Sequence, residues 1–259
     1  TTNLNDDLGI RQSGSYVTAN GTVNWAEASA GAASRADYQN RLGQLQTDLQ
    51  TLGNNGRISA YLDQDFAAGL TGQHYTTSFS LGMELFTGGG NPNQSMAVGN
   101  TTYRLIMANS AADVTNGSSS AWDAAVSFSP FYDGNDWQMQ VSYVIDGSTT
   151  IFGNIGFTPV ADGPEWQAPT EDVVLTIDEV TNTMDVSYGS TTVVSTASLG
   201  SALGSGRYVG LQSFISGSGP SSSVLQHELD TFEVTIVPEP SFAAVVAGVL
   251  AIGLVFYRR

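Results

Sequence analysis

The sequence predicts an all-β protein in which two antiparallel sheets pack face to face as a jelly-roll sandwich. Most of residues 1–236 alternate between apolar and polar side chains with a period of two, and clusters of Gly, Asn, Asp and Ser separate about twelve such runs. A hydrophobic fraction of 41% is ample for a packed core. Because no linker or change of composition divides this region, we expect one domain rather than two.

The individual strands are expected where the alternation is clearest. The segments at 172–179 and 182–188 form a hairpin, and Gly189-Ser190 turns the chain into the next strand, which makes a β-meander. The predicted strands lie at about 14–23, 56–64, 75–86, 101–109, 122–130, 136–146, 150–157, 172–179, 182–188, 191–196, 206–216 and 224–236.

One segment has a helical pattern instead. Between residues 34 and 52, apolar side chains recur at spacings of three and four, and the Gly-Asn-Asn-Gly sequence at 53–56 supplies a stop signal. The apolar positions are Tyr38, Leu42, Leu45, Leu49 and Leu52. We therefore predict a surface helix inserted into the sandwich at residues 34–52.

Charge and cysteine content exclude several classes of function. The chain has 24 acidic residues and 8 basic residues, all of them Arg, which gives a net charge of −16. So acidic a chain is a poor partner for nucleic acid. The absence of cysteine excludes disulfide bonds, thiolate metal sites and cysteine nucleophiles.

The C-terminal region, residues 237–259, has a different character from the rest of the chain. Its Val-Pro-Glu-Pro-Ser sequence is followed by an uncharged apolar run at 242–257 and then by Arg258 and Arg259. As a helix this run spans about 24 Å, slightly less than a bilayer core of about 30 Å. We expect a membrane-spanning helix whose terminal arginines act as a cytoplasmic stop.

This tail resembles the PEP-CTERM sorting signal of Gram-negative bacteria, with Pro238, Glu239 and Pro240 as the motif. The resemblance implies recognition by an exosortase, transient anchoring in the inner membrane, and export to the cell surface or the extracellular matrix, often together with exopolysaccharide. The alternative is an ordinary C-terminal membrane anchor. Because the first residues resemble no signal peptide, we expect the sequence to be a mature form from which one was removed.

A second resemblance extends over most of the chain and concerns the fold. The segments at 14–18, 174–178, 207–212 and 227–234 look like those of laminin-G and concanavalin-like domains. That fold hosts sugar binding, protein binding and glycoside hydrolysis. Its laminarinase-type hydrolases carry an E-x-D-x-x-E pattern, which Glu228, Asp230 and Glu233 match, so the resemblance makes these three residues the catalytic candidates. A regular strand would place Glu233 on the face opposite to Glu228, and the ordinary interpretation is a closing strand.

Three further groups of residues are candidate binding sites. Asp133, Asn135 and Asp136 are candidate calcium ligands, because domains of this resemblance often bind calcium at one edge, although the same residues also suit a turn. Asp63 with Asp65 is a second such candidate. The aromatic residues Tyr132, Trp137 and Trp166 lie near predicted loops, where they form a sugar platform or, alternatively, pack the core.

The sequence thus favours a non-enzymatic exported protein that binds extracellular polysaccharide or neighbouring surface proteins. One alternative is a structural subunit that self-associates into filaments or a matrix, through sheet edges or through C-terminal helices that approach closely at Gly248 and Gly253. The second alternative is a laminarinase-type hydrolase. Because the domain is acidic, we expect close assembly to need counter-ions such as calcium.

Overall fold

The computed structural model describes residues 2–3, 14–18, 21–41, 44–67, 73–86, 99, 101–162, 165–200, 203–216 and 227–238. They contain a four-residue helix, α1 (Ala111–Val114), and a 3-10 turn at Ser119–Ala121; the other elements are strands. The strands are β1 (Thr2–Asn3), β2 (Gly14–Thr18), β3 (Gly21–Arg41), β4 (Gln44–Leu62), β5 (Gln73–Phe86), β6 (Thr101–Ala108), β7 (Ala124–Tyr132), β8 (Trp137–Ile145), β9 (Ser148–Phe157), β10 (Val160–Asp162), β11 (Glu165–Asp178), β12 (Thr183–Tyr188), β13 (Thr191–Ser198), β14 (Tyr208–Ile215) and β15 (His227–Pro238).

The strands form two antiparallel layers, which confirms the predicted all-β sandwich. The first layer has the order β13-β12-β11-β5-β15, with β10 beside β11 and β1 beside β15. The second has the order β4-β14-β6-β7-β8-β9, and β3 and β2 continue it beyond β4. The long strand β4 belongs to both layers, because it pairs with β15 near Leu45 and with β14 from Gly56 onward.

The core lies between the layers and follows the period-two pattern of the sequence. On β5, the buried side chains of Tyr75, Phe79, Leu81 and Met83 occupy alternate positions. The aromatic ring of Phe79 packs against Tyr103 of β6 at a centroid distance of 5.7 Å, and this contact joins the two layers. Each fully buried aromatic or aliphatic side chain of this kind contributes about 1.5–3 kcal/mol to the free energy of unfolding.

The predicted helix at 34–52 is wrong, because this segment forms the end of β3 and the start of β4. A spacing of four, as between Leu45 and Leu49, also equals two periods of a strand, so the pattern fits both structures. Pairing with partner strands decides between them: Leu45 aligns with Asn40 of β3 and with Leu229 of β15. The predicted stop signal at 53–56 lies instead where the register between β3 and β4 shifts.

The C-terminal tail, with the expected helix at 242–257, Glu239, Pro240 and the two terminal arginines, lies outside the described residues. Pro238 ends β15. Among the residues described, no helix is long and apolar enough to cross a membrane.

Candidate functional site

The outer face of the second layer is polar where β6, β7 and β8 lie side by side. On each strand, one set of alternate residues enters the core and the other set points away from it. The second set includes three pairs of polar residues, which we call the polar face: Thr102 and Arg104 of β6, Ser127 and Ser129 of β7, and Gln140 and Ser142 of β8. Thr102, Ser127 and Ser129 are each less than 10% exposed. Polar side chains that are this deeply buried need hydrogen-bond partners.

A pocket of about 250 Å³ opens over the polar face. All six residues of the polar face line it, together with Trp122, Val144 and Thr149 and with Gly117 and Ser119 of the segment before β7. Such a volume is just below the usual range for small-molecule sites and suits a small polar group rather than a long ligand.

The wall of the pocket is formed by residues 110–122, which fold back over the sheet. Ser110 caps α1, since its Oγ accepts a hydrogen bond from the backbone N–H of Asp113 at 3.2 Å. Val114 and Trp122 pack with Ile106 of β6 and with its neighbours on β7 and β8, in an apolar cluster separate from the main core. This small second core fixes the wall against the sheet.

Arg104 is held on the floor of the pocket by a neighbouring strand. Its Nη1 donates a hydrogen bond of 2.6 Å to Oε1 of Gln212 on β14. Gln212 is fully buried, and its Nε2 donates in turn to Oγ of Ser59 at 3.2 Å and to the backbone oxygen of Asn116 at 3.1 Å. Because Gln212 is fixed at both ends of its amide, it fixes the position of Arg104.

Two aromatic rings complete the environment of Arg104. The guanidinium carbon lies 5.4 Å from the ring centroid of Trp122 and 5.4 Å from that of Phe214. Such contacts orient a guanidinium while leaving its N–H donors available. Trp122 lines the pocket, and its buried Nε1–H has no hydrogen-bond partner among the described residues.

A second arginine lies at the edge of the same pocket. Arg57 of β4 packs so closely on Gly117 that a Cβ at that position would overlap Nη1 of Arg57. Burial and, to a smaller extent, the positive charge of Arg57 lower the pKa of Arg104 to about 10. Burial also lowers the pKa of Arg57. Both side chains remain cationic at neutral pH.

The lining of the pocket suits binding rather than proton transfer. Among the described residues that line it there is no Asp, Glu, His or Tyr, and these are the usual general acids and bases. Hydroxyl, amide and guanidinium groups remain, and these donate and accept hydrogen bonds without titrating near neutral pH.

The E-x-D-x-x-E segment lies elsewhere, on β15 in the first layer. The register shifts between Leu229 and Phe232, so that Glu228 aligns with Gly82 of β5 and Glu233 aligns with Ser78. In a regular strand the two glutamates would align with opposite faces of β5. Because of this irregularity, both align instead with positions of β5 that alternate with its buried residues. They belong to the other layer from the pocket, and their catalytic role stays a prediction.

The acidic turn at Asp133–Asp136 is stabilised by its own hydrogen bonds. Oδ1 of Asp133 accepts from the backbone N–H groups of Asn135 and Asp136, each at 2.8 Å, and Gly134 adopts a φ of +103°. The bonds to the N–H groups of Asp136 and Asn135 lower the pKa of the exposed Asp133 carboxyl. In the described part of the chain, no group of three His, Cys, Asp or Glu residues could hold a metal ion. Calcium at this turn therefore stays a prediction, and the observed geometry is that of an Asx turn.

The three predicted platform aromatics do not meet in one surface site. Trp137 is 4% exposed and packs in the core, with ring centroids 5.6 Å from Tyr132 and 6.1 Å from Phe157, so the structure places it in the alternative role of core packing. Tyr132 is half-buried and donates from its hydroxyl to the backbone oxygen of Asn135 at 3.2 Å. Trp166 is half-buried on β11, in the first layer.

A third arginine of the described strands and loops has a structural role. Arg207 is 3% exposed, and its Nη2 forms an ion pair of 2.6 Å with Glu179. Its Nη1 donates to the backbone oxygens of Gly204 and Gly206. Asp65, a calcium candidate from the sequence, accepts a hydrogen bond of 2.8 Å from the backbone N–H of Arg207. This cluster closes the loop before β14.

Sequence reasoning missed the pocket because its residues come from four separate strands, β6 to β9, and from the segments that precede β6 and β7. A signal was nevertheless present. Arg104 directly precedes the apolar run at 105–108, in a chain with only eight basic residues, and Gln212 stands in the middle of the predicted strand at 206–216. A buried charge in a strand pattern indicates a partner or a ligand.

Comparison with known proteins places the fold but not a family. No family model matches the chain, and no curated protein matches it. The structure of alginate lyase AlyC3 in complex with dimannuronate is 9% identical, with a TM-score of 0.50 over 80% of this chain and 79% of that one. Winged bean acidic lectin complexed with methyl-α-D-galactose is 16% identical, with a TM-score of 0.49 over 81% and 98%. The carbohydrate recognition domain of Emp46p in a potassium-bound form is 11% identical, with a TM-score of 0.48 over 80% and 87%. The chain is therefore similar in fold to concanavalin-like domains.

Proposed function

We propose that this chain is a carbohydrate-binding domain and that the pocket over the polar face is its binding site. The observation that carries the proposal is the chemistry of the lining: hydroxyl, amide and guanidinium groups surround a pocket that has an indole at its wall and, among its described residues, no acid or base. Sugar hydroxyls both donate and accept hydrogen bonds, so a wall of Ser, Thr and Gln side chains complements them.

The fold supports the same class of ligand. Alginate lyase AlyC3, which shares this fold, is solved with a sugar dimer, although a shared fold does not transfer an activity. The described residues that line the pocket are hydrogen-bonding groups rather than the usual general acids and bases, and for this reason we propose binding rather than cleavage.

We also propose that the domain is exported and that exosortase sorts it to the cell surface or matrix of a Gram-negative bacterium. The support is the sequence of the tail alone, with Pro238, Glu239 and Pro240 followed by the apolar run and Arg258-Arg259. Extracellular polysaccharide would then be the available ligand. Replacing Glu239 with Ala in the producing cell should leave the protein in the membrane fraction; unchanged release would contradict the sorting proposal.

Binding to a panel of immobilised acidic and neutral polysaccharides tests the proposed function. Ser142→Leu places an apolar side chain in the pocket and should abolish binding to whichever polymer the unmodified protein retains. Ser187→Leu is the matched control, because Ser187 is also half-buried on an outer face but lies on β12 in the first layer. Equal binding by both variants, or no binding to any polymer by the unmodified protein, would contradict the proposal.

A further inference from the structure

We infer that the pocket selects acidic sugar residues and that Arg104 and Arg57 together bind their anionic group. This inference rests on the proposed carbohydrate-binding function and deepens it by naming the ligand class. The two cations lie close together, no carboxylate of the described residues pairs with them, and one of them is held ready for a ligand.

The two guanidinium groups share one side of the pocket. Arg104 lines it directly, and Arg57 packs against Gly117, which also lines it. On the sheet, Ser59 aligns with Gln212 and Gln212 with Arg104, while Arg57 lies two residues before Ser59 on the same strand. Two strands of separation and two residues along the strand place the two Cα atoms about 12 Å apart, a distance that two long side chains can bridge.

No acidic side chain compensates these charges within the residues that the structure describes. The ion pair of the described region belongs to Arg207 and Glu179, in the loop cluster rather than in the pocket. Burial of two like charges side by side is unfavourable, and an anion that enters the pocket relieves it. The chain as a whole carries a net charge of −16. Two arginines without a carboxylate partner among the described residues therefore make the charge of this site differ from that of the whole chain.

Arg104 is also prearranged to bind an oxyanion. One N–H is used by Gln212, and the rings of Trp122 and Phe214 hold the guanidinium, while the remaining donors have no partner among the described residues. A guanidinium fixed in this way binds a carboxylate or a sulfate ester through paired hydrogen bonds, with little loss of conformational freedom.

The ligand chemistry is thus a sugar that carries an oxyanion, and two sources supply it: uronic acids and sulfated sugars. The neighbouring hydroxyl groups of Ser127, Ser142 and Thr149 would then contact the sugar hydroxyls. A free inorganic anion satisfies only the arginines, so it should compete weakly with the polymer.

The test is affinity electrophoresis of the whole chain in gels that contain alginate, dextran sulfate or neutral dextran. We expect retardation by at least one acidic polymer and little by dextran; the comparison of alginate with dextran sulfate distinguishes uronate from sulfate ester. Arg104→Gln and Arg57→Gln should each weaken binding to that polymer about 10- to 100-fold. The matched control is Arg41→Gln, which removes the same charge at the far end of β3.

Gly117→Ala separates local geometry from net charge, because the added methyl group displaces the end of Arg57 without removing any charge. It should weaken binding to the acidic polymer as Arg57→Gln does. Thermal melting of each variant verifies that it is folded. One outcome would overturn this inference and leave the proposed function intact. In that outcome dextran and the acidic polymers retard the protein equally, the arginine substitutions change nothing, and Ser142→Leu abolishes the retardation. No retardation by any polymer would contradict both.

Discussion

Replacement of Gln212 by Leu tests whether the floor of the pocket is held as described. Gln212 has no exposed surface and makes three hydrogen bonds: it accepts one from Arg104 at 2.6 Å and donates two, to Ser59 at 3.2 Å and to Asn116 at 3.1 Å. Leu has a similar volume, so the change leaves no large cavity, but it leaves the Arg104 donor and the Asn116 carbonyl without partners.

The expected loss of stability follows from these contacts. A hydrogen bond to a charged group contributes about 1.5–3 kcal/mol and each neutral one about 1 kcal/mol, while burial of the apolar Leu returns part of this. We expect a net loss of about 3 kcal/mol in the free energy of unfolding, which is a fall of roughly 6–12 °C in melting temperature for a domain of this size. The domain should still fold, since stabilities of about 5–15 kcal/mol are usual.

Urea denaturation followed by tryptophan fluorescence measures this loss. Gln140→Leu is the matched control, because Gln140 lines the same pocket but is only half-buried and has no hydrogen-bond partner among the described residues. It should change stability by less than about 1 kcal/mol. A loss for Gln212→Leu no larger than that of the control would show that the hydrogen bonds of Gln212 do not hold Arg104 in place.

Three further predictions concern other parts of the molecule. Burial raises the pKa of Asp123 to about 6, so between pH 4 and 6 the folded protein binds more protons than the unfolded chain and its stability falls as the pH rises. Asp123→Asn should remove this slope and, after allowance for partial exposure, should stabilise the protein at pH 7 by about 1 kcal/mol. An unchanged pH profile of the melting temperature would contradict this prediction. Glu179→Ala removes the ion-pair partner of the buried Arg207 and should lower the free energy of unfolding, measured by urea denaturation, by about 3–5 kcal/mol. A loss of less than about 1 kcal/mol would mean that water solvates Arg207. Asp133→Ala removes the acceptor of the Asx turn and should lower the free energy of unfolding by about 1 kcal/mol. A chelator should affect the melting temperature of the variant and of the unmodified protein equally. A chelator effect that is present in the unmodified protein and absent in the variant would indicate calcium at the turn.

The sequence was sufficient for the fold because the period-two pattern is strong wherever one strand face enters the core. The alternating burial of β12, from Thr183 to Tyr188, is an example. It was insufficient at residues 34–52, where the spacing of Leu45 and Leu49 fits a strand as well as a helix and only pairing with β3 and β15 decides.

The candidate site was less predictable than the fold. Tyr132, the acidic turn at 133–136 and Trp137 follow one another in the sequence and so form a visible pattern, but the two rings pack against each other and the Asp133 carboxylate accepts from backbone N–H groups of its own turn. Arg104 and Gln212, by contrast, are 108 residues apart and meet only because β6 and β14 are neighbours in the sheet. Side chains that converge from distant strands leave no local pattern.

Nuclear magnetic resonance mapping shows whether carbohydrate binds over the polar face. The ¹⁵N-labelled protein is titrated with oligosaccharides from the polymer that it retains, and the indole signal of Trp122, the guanidinium signal of Arg104 and the backbone amides of β6–β8 are followed. If carbohydrate binds in the pocket over the polar face, these signals shift together and saturate at one ligand concentration. Shifts confined to the turn at Asp133–Asp136, to Trp166 or to β15 would place the ligand elsewhere and contradict the account.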